Sequence, residues 1–311
     1  MPITDQDGST TDLLRCCLHR RRHPQLILGP VPLLRQFSYK DLKRATDEFR
    51  RPIASHSNGV TYEAKLEDGS VALVKEIKGA EQRQDDFYRE VQLLGCLHHR
   101  HLVALRGYSS GRQSFLVFES TGYGSLKEHL NDPLKTPLNW NTRLNIAIAV
   151  ASALEYLELF CEPPVYDASI NSSSILLDER FCAKLSDICL VDSAIYHAEL
   201  PNSSDTEECK DLGSRKLLPQ FGGLILELIT GQSSEKGSAE VIRWVQESDL
   251  GTSMHNMIDP DLGDSYDGKV LRNLLALARL CIKVDTSKPS FSISHVLWYL
   301  QQKVGLRHDR H

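Results

Sequence analysis

The residue of greatest chemical interest is a lysine where lysine is out of place. In the run Val71–Ile77, the side chains of Val71, Leu73, Lys75 and Ile77 share one face by the two-residue period of a strand. Lys75 therefore stands among apolar neighbours, although lysine is rarely buried without a partner. A partner is at hand. Residues 84–97 carry Phe87, Val91, Leu94 and Leu97 on one helical stripe, and Glu90 falls on the same stripe. An inward lysine and an inward glutamate on neighbouring strand and helix invite an ion pair. Desolvation offsets most of its attraction, so such a pair serves geometry more than stability. Cysteine chemistry is less promising. The eight cysteines, at 16, 17, 96, 161, 182, 189, 209 and 281, form no C-x-x-C pair. That pattern argues against zinc and a disulfide framework and for free thiols in a reducing cytosol.

The elements that must hold Lys75 and Glu90 follow from local signals. Residues 41–49 read as a short helix. Val60–Leu66 and Val71–Ile77 flank Glu67-Asp68-Gly69-Ser70 and read as a hairpin, Asp-Gly being a strong turn signal. Residues 102–105 and 115–118 add strands, giving a small sheet with one helix. After Gly122-Tyr123-Gly124 the pattern turns helical: 125–130, 143–157, 221–230 behind an early-helix Pro219, 237–247, 267–283 and 290–304. A sheet-rich lobe joined through a glycine-containing hinge to a helical lobe implies a cleft between them.

Composition bounds the function. The chain has 311 residues, 41% hydrophobic and 25% charged, which are ordinary globular values. Its net charge of −5 argues against global nucleic-acid binding. No apolar run reaches the roughly 18–20 residues of a membrane helix, and no signal-peptide core is present. Residues 1–36 lack sustained periodicity and read as a flexible basic leader, with 305–311 as a tail. In the leader, Cys16 and Cys17 lie beside Arg20-Arg21-Arg22. That combination suits S-palmitoylation at an anionic membrane surface, or is simply a solvated basic tail.

From Phe37 to Val304 the chain resembles the plant receptor-like protein kinase family. Phe37-Ser38-Tyr39-Lys40-Asp41-Leu42, Leu97-His98-His99-Arg100-His101-Leu102-Val103, Gly124-Ser125-Leu126, Ser174-Ile175-Leu176-Leu177-Asp178, Ala183-Lys184-Leu185-Ser186-Asp187 and Glu227-Leu228-Ile229-Thr230-Gly231 follow one another in the family's order. The resemblance implies an α+β, two-lobed kinase-like fold within 37–304, with a small lobe over about 37–119 and a large lobe over about 125–304. It also implies which residues would meet Mg-ATP and substrate, and there the chain departs from the family.

Of the glycine-rich phosphate loop, Ala54, His56 and Gly59 stand where three glycines belong. The strand lysine, Lys75, and its helix partner, Glu90, are kept. Leu73 replaces the small residue above the adenine ring, and Phe118 takes the gatekeeper place. The catalytic loop reads Asp167-Ala168-Ser169-Ile170-Asn171-Ser172-Ser173-Ser174. Ser169 replaces the catalytic aspartate, Asn171 the loop lysine and Ser174 the metal-holding asparagine, while Asp167 lies two residues ahead of the lost base. A positioned general base contributes about 10²–10⁴-fold, and serine cannot act as one near neutral pH. Asp187-Ile188-Cys189 replaces the metal-binding D-F-G. Asp187 is thereby either a lone magnesium ligand or, more simply, a partner for Lys75. The segment 194–213 lacks a visible A-P-E element, Leu217 stands where an aspartate anchors the catalytic loop, and Lys288 replaces a late arginine.

The resemblance, so depleted, implies a pseudokinase: a binding scaffold or allosteric partner in receptor-kinase signalling. The alternative is a weakly active or nucleotide-binding Ser/Thr kinase with an atypical loop. No cofactor is expected, ATP and magnesium binding weakly if at all. Lys75, Glu90, Asp187 and Gly59 remain as vestiges of the nucleotide site. Expected partners are proteins, receptor-like kinases or their substrates, and the expected location is the cytoplasm, including the inner face of the plasma membrane. Ser203-Ser204-Asp205-Thr206-Glu207-Glu208 is either a target for phosphorylation in trans or a solvated loop.

Overall fold

The computed structural model describes residues 34–56, 59–78, 84–161, 164–166, 168–188, 206–232, 257–263, 265–283 and 291–304. The leader with Cys16 and Cys17, the expected helix at 237–247, the stretch 201–205, Asp167, Cys189 and Lys288 lie outside them.

The small lobe is a six-stranded sheet in the order β1-β5-β6-β4-β3-β2. Its strands are β1 (Arg35–Gln36), β2 (Pro52–His56), β3 (Gly59–Lys65), β4 (Val71–Ile77), β5 (Leu105–Ser109) and β6 (Ser114–Glu119). β3 and β4 form the expected hairpin, with Glu63 opposite Leu73 and Thr61 opposite Lys75. The sheet is buried on both faces, which explains why Phe115-Leu116-Val117-Phe118 runs apolar without alternation. One face, with Ala72, Val74, Phe115 and Val117, packs against Phe37 and Leu42. The other carries Leu116 and Phe118 into the main core, with Leu73 and Ile77 packed against it. The face of β4 that holds Lys75 is thus the less dry of the two, which lessens the cost of placing an ammonium there.

The first helix, α1 (Tyr39–Ala45), begins two residues earlier than the sequence suggests and ends four earlier. Ser38 caps it, accepting from the Asp41 amide at 3.1 Å. Asp47, Glu48 and Phe49 then take left-handed backbone, with φ of 51°, 60° and 58°. That turn swings Phe49 back over the sheet to stack on Phe115, ring centroids 5.1 Å apart. Ring burial thereby offsets the cost of a left-handed run outside glycine. The expected strand at 102–105 is also shifted. Leu102 bridges Leu185 in the other lobe, and β5 begins only at Leu105.

Gly59 has a steric role. A Cβ there would lie 1.7 Å from the carbonyl oxygen of Glu76 on β4. The backbones touch at this point, so only glycine fits.

The large lobe contains α3 (Leu126–Asn131), α4 (Trp140–Leu159), the hairpin β7 (Ile175–Leu177) and β8 (Ala183–Leu185), α5 (Thr206–Thr230), α6 (Gly268–Ile282) and α7 (Ile293–Val304). Lobe and helix starts follow side-chain caps. Ser125 and Glu128 form a reciprocal capping box on α3, Asn139 caps α4, and Asp267 caps α6. Ser125→Ala is expected to cost about 1 kcal/mol in chemical denaturation. Pro219 is not an early-helix residue: α5 starts at Thr206 and carries Pro219 in its interior. The helix tolerates a missing N–H there because tertiary packing, with Leu217, Leu218, Phe221 and Leu224 all buried, outweighs the lost bond. Among the described residues no helix is long and apolar enough to cross a membrane.

Candidate functional site

The chemistry-bearing residues meet where the two lobes face each other. β4 brings Lys75 down from the small lobe, and the turn after β8 brings Asp187 up from the large one. Lys75 Nζ donates to Asp187 Oδ1 at 2.8 Å, both side chains being mostly buried. The ion pair expected between Lys75 and Glu90 is therefore made to Asp187 instead. Glu90 is buried on α2 (Gln84–Cys96), on the stripe shared by Phe87, Val91 and Leu94. A second ion pair spans the lobes nearby, between Lys184 of β8 and Glu119 at the end of β6. Glu119 Oε1 also accepts from the Ala104 amide at 3.2 Å.

The loop expected to carry the catalytic residues is closed on itself. Ser169 donates its amide to the Asp187 carbonyl at 2.9 Å, and its hydroxyl accepts from Asn171 Nδ2 at 3.0 Å. Asn171 Oδ1 accepts from the amides of Ser173 and Ser174, at 2.9 and 3.0 Å. This is an Asx-type turn, which short amide side chains favour. Ser174 Oγ donates back to the carbonyls of Ser169 and Asn171, and Ser186 donates both amide and hydroxyl to the Ser174 carbonyl. Asn171 is thus occupied with its own loop, where a lysine would extend toward phosphate. The described loop residues, 168–174, offer hydroxyls, amides and carbonyls and no carboxylate.

The loop is also anchored from below, by residues that sequence reasoning missed. Leu217 is buried in the core, as its type requires. One turn later, Gln220 Oε1 accepts from the Ile170 amide at 3.0 Å. Glu227 Oε2, two turns further on, accepts from the Ser172 amide at 2.8 Å. The signal was the helical spacing 217, 220, 227, which places three residues on one face. Position 217 carries no carboxylate, as expected, and the loop is held instead by an amide and a carboxylate from two other positions on α5.

Against a magnesium nucleotide the donor set fits poorly. Magnesium takes oxygen ligands at near-octahedral geometry. Asp187 Oδ1 is engaged by Lys75, and Ser174 Oγ turns inward to carbonyls. Leu73, expected from the resemblance to stand over the adenine ring, lies opposite Phe118 in the β4–β6 register and is half-buried. Side chains at His56 and Ser55 fall outside the described set.

Residues 48–210 match the family described as protein tyrosine and serine/threonine kinase. The chain belongs to this family. Among curated relatives, an Arabidopsis thaliana protein named "Probable receptor-like protein kinase" is 39% identical over 276 residues, covering 82% of this chain and 42% of the relative. The Arabidopsis "Probable serine/threonine-protein kinase PBL26" is 34% identical over 82% of this chain and 68% of the relative. This chain thus spans less than half the length of the first and about two thirds of the second. Among solved structures, the pseudokinase domain of BIR2, an immune regulator of the RLK/Pelle family, aligns with a TM-score of 0.70 at 23% identity, over 92% of this chain and 89% of that one. The pseudokinase DRIK1 (drought responsive inactive kinase 1) aligns with a TM-score of 0.67 at 20% identity, over 88% and 98%. At these identities the likeness is one of fold. It establishes the kinase-like architecture, a β-sheet small lobe over a helical large lobe.

Proposed function

We propose that this kinase-family domain is a pseudokinase, a protein-binding module that acts as scaffold or allosteric partner for receptor-like kinases or their substrates. The observation that carries the reading is Ser169. It stands where a substrate hydroxyl would surrender its proton, its own hydroxyl is bonded to Asn171, and no neighbouring described loop residue supplies a base. The Lys75–Asp187 pair supports it further, because the cation for phosphate and the carboxylate for metal neutralise one another. In this reading Lys75, Glu90, Asp187 and Gly59 maintain the shape of the small lobe and its seat on the large one, without ATP or magnesium. The domain works in the cytoplasm in this reading, and acylation of Cys16 and Cys17 would bring it to the inner face of the plasma membrane.

The test is a phosphotransfer assay with the full chain at high protein and Mg-ATP concentrations. The expected result is no incorporation above that of Lys75→Met. Incorporation that the Lys75→Met change abolishes would establish the alternative, a weakly active Ser/Thr kinase. Two observations favour that alternative: the retained Lys75 and Asp187, and the kinase names of the sequence relatives. Changing Cys16 and Cys17 to serine tests membrane association separately, and an unchanged, diffuse distribution would dismiss acylation.

A further inference from the structure

The loop between α2 and β5 ties the small lobe to the large one through two histidines. His101 Nδ1 lies 2.9 Å from the Ala183 carbonyl. A carbonyl only accepts, so Nδ1 carries the proton and Nε2 is bare. His99 has the opposite tautomer. Its Nδ1 accepts from the His101 amide at 3.3 Å, leaving Nε2–H directed at Ser152 Oγ, 3.5 Å away on α4. The His99 ring stacks on Tyr156 of α4 with centroids 5.1 Å apart, and lies 5.5 Å from the His101 ring. Around this pair the backbone is laced across the lobes. Leu185 donates to the His101 carbonyl at 2.9 Å, and Val103 donates to the Leu185 carbonyl at 3.0 Å. The loop therefore adds a parallel edge to the β7–β8 hairpin, two residues before Asp187.

We propose that His99 and His101 form a proton-operated joint between the lobes, in which protonation of His99 turns the acceptor of the His101 amide into a donor facing a donor and releases the loop from β8. The cations facing the pair favour its neutral state, and Asp178 opposes them at His101. Arg100 belongs to the loop itself, Lys184 projects from β8 and is shared with Glu119 of β6, and Asp178 lies in the β7–β8 turn. On α4 the facing groups are Ser152 and Tyr156, which are uncharged. Burial, then the neighbouring His101 and Arg100, holds His99 below the ordinary imidazole range. Burial also lowers His101, opposed by its bond to Ala183 and aided by Arg100 and Lys184. Because the folded values are depressed, the unfolded or opened chain binds protons first. The joint is intact above the ordinary histidine value of about 6.5 and weakens as pH falls through the lowered folded values. Each proton taken up on opening shifts the equilibrium about tenfold per pH unit. This inference concerns the lobes' connection and holds whether or not the domain transfers phosphate.

Amide hydrogen exchange of the full chain tests it, with rates corrected for the intrinsic pH dependence. As pH falls from about 7 to about 5, protection of the Val103 and Leu185 amides should be progressively lost relative to the β5–β6 amides. In His99→Asn/His101→Asn the amide side chains supply one acceptor and one donor without titrating, and the fall should vanish. Undiminished protection of Val103 and Leu185 in the wild type at the lower pH overturns the proposal, even if the variant fails to fold. So does a folded variant that loses protection as steeply as the wild type.

Discussion

Arg143→Ala is expected to lower the free energy of unfolding by about 3–5 kcal/mol, enough to remove much of a domain's stability. Arg143 is fully buried on α4, and three of its nitrogens are committed. Nε donates to the Leu138 carbonyl and Nη1 to the Leu228 carbonyl, each at 2.9 Å, while Nη2 meets Asp259 Oδ2 at 2.6 Å. Removing the guanidinium strands a buried carboxylate and two carbonyls. Asp259 has little freedom to turn away, because Gly231 packs so closely that a Cβ there would lie 2.3 Å from Oδ2. Arg143→Lys would not rescue it, since one ammonium cannot span the three directions of the guanidinium fork. Equilibrium urea denaturation measures the effect, and a loss under about 1 kcal/mol would refute the account.

The second large effect concerns the cleft. If Leu73 occupies the purine's place, Leu73→Ala should tighten ATP binding about 5- to 150-fold, the equivalent of relieving roughly 1–3 kcal/mol of overpacking. A thermal-shift titration of both proteins with ATP, with and without magnesium, reads this directly. The wild type should show no metal-dependent rise in Tm. Leu73→Ala should show a rise that does not need magnesium, because Asp187 stays paired with Lys75. Equal ATP affinity in the two proteins would mean that Leu73 is not the obstruction.

What could be read in advance was what local pattern determines. The inward register of Lys75 followed from strand alternation, and the hairpin from Asp68-Gly69, because both depend on residues a few positions apart. Asp187 as a partner of Lys75 came from the family resemblance and not from local pattern, since it lies 112 residues away and meets Lys75 only through lobe closure. Glu90 seemed the nearer candidate because neighbouring elements suggest neighbouring side chains. The same limit hid the loop's anchors. Position 217 by itself is leucine, whereas the same helix face also offers Gln220 and Glu227. The end of α1 was misplaced because residues 46–49 have helix-compatible composition. Their left-handed turn is set by the Phe49–Phe115 stack, a tertiary contact. Pro219 misled for the converse reason: its local preference for a helix start was overridden by core packing along α5.

Gly59 bears on how such chains are judged. It counts as one surviving member of a phosphate-cradling triplet, yet the β4 backbone beside it would exclude any side chain even if no nucleotide ever approached. An idle lobe needs that glycine as much as a working one does. Its presence is a statement about sheet construction, so by itself it speaks neither for nor against phosphate transfer.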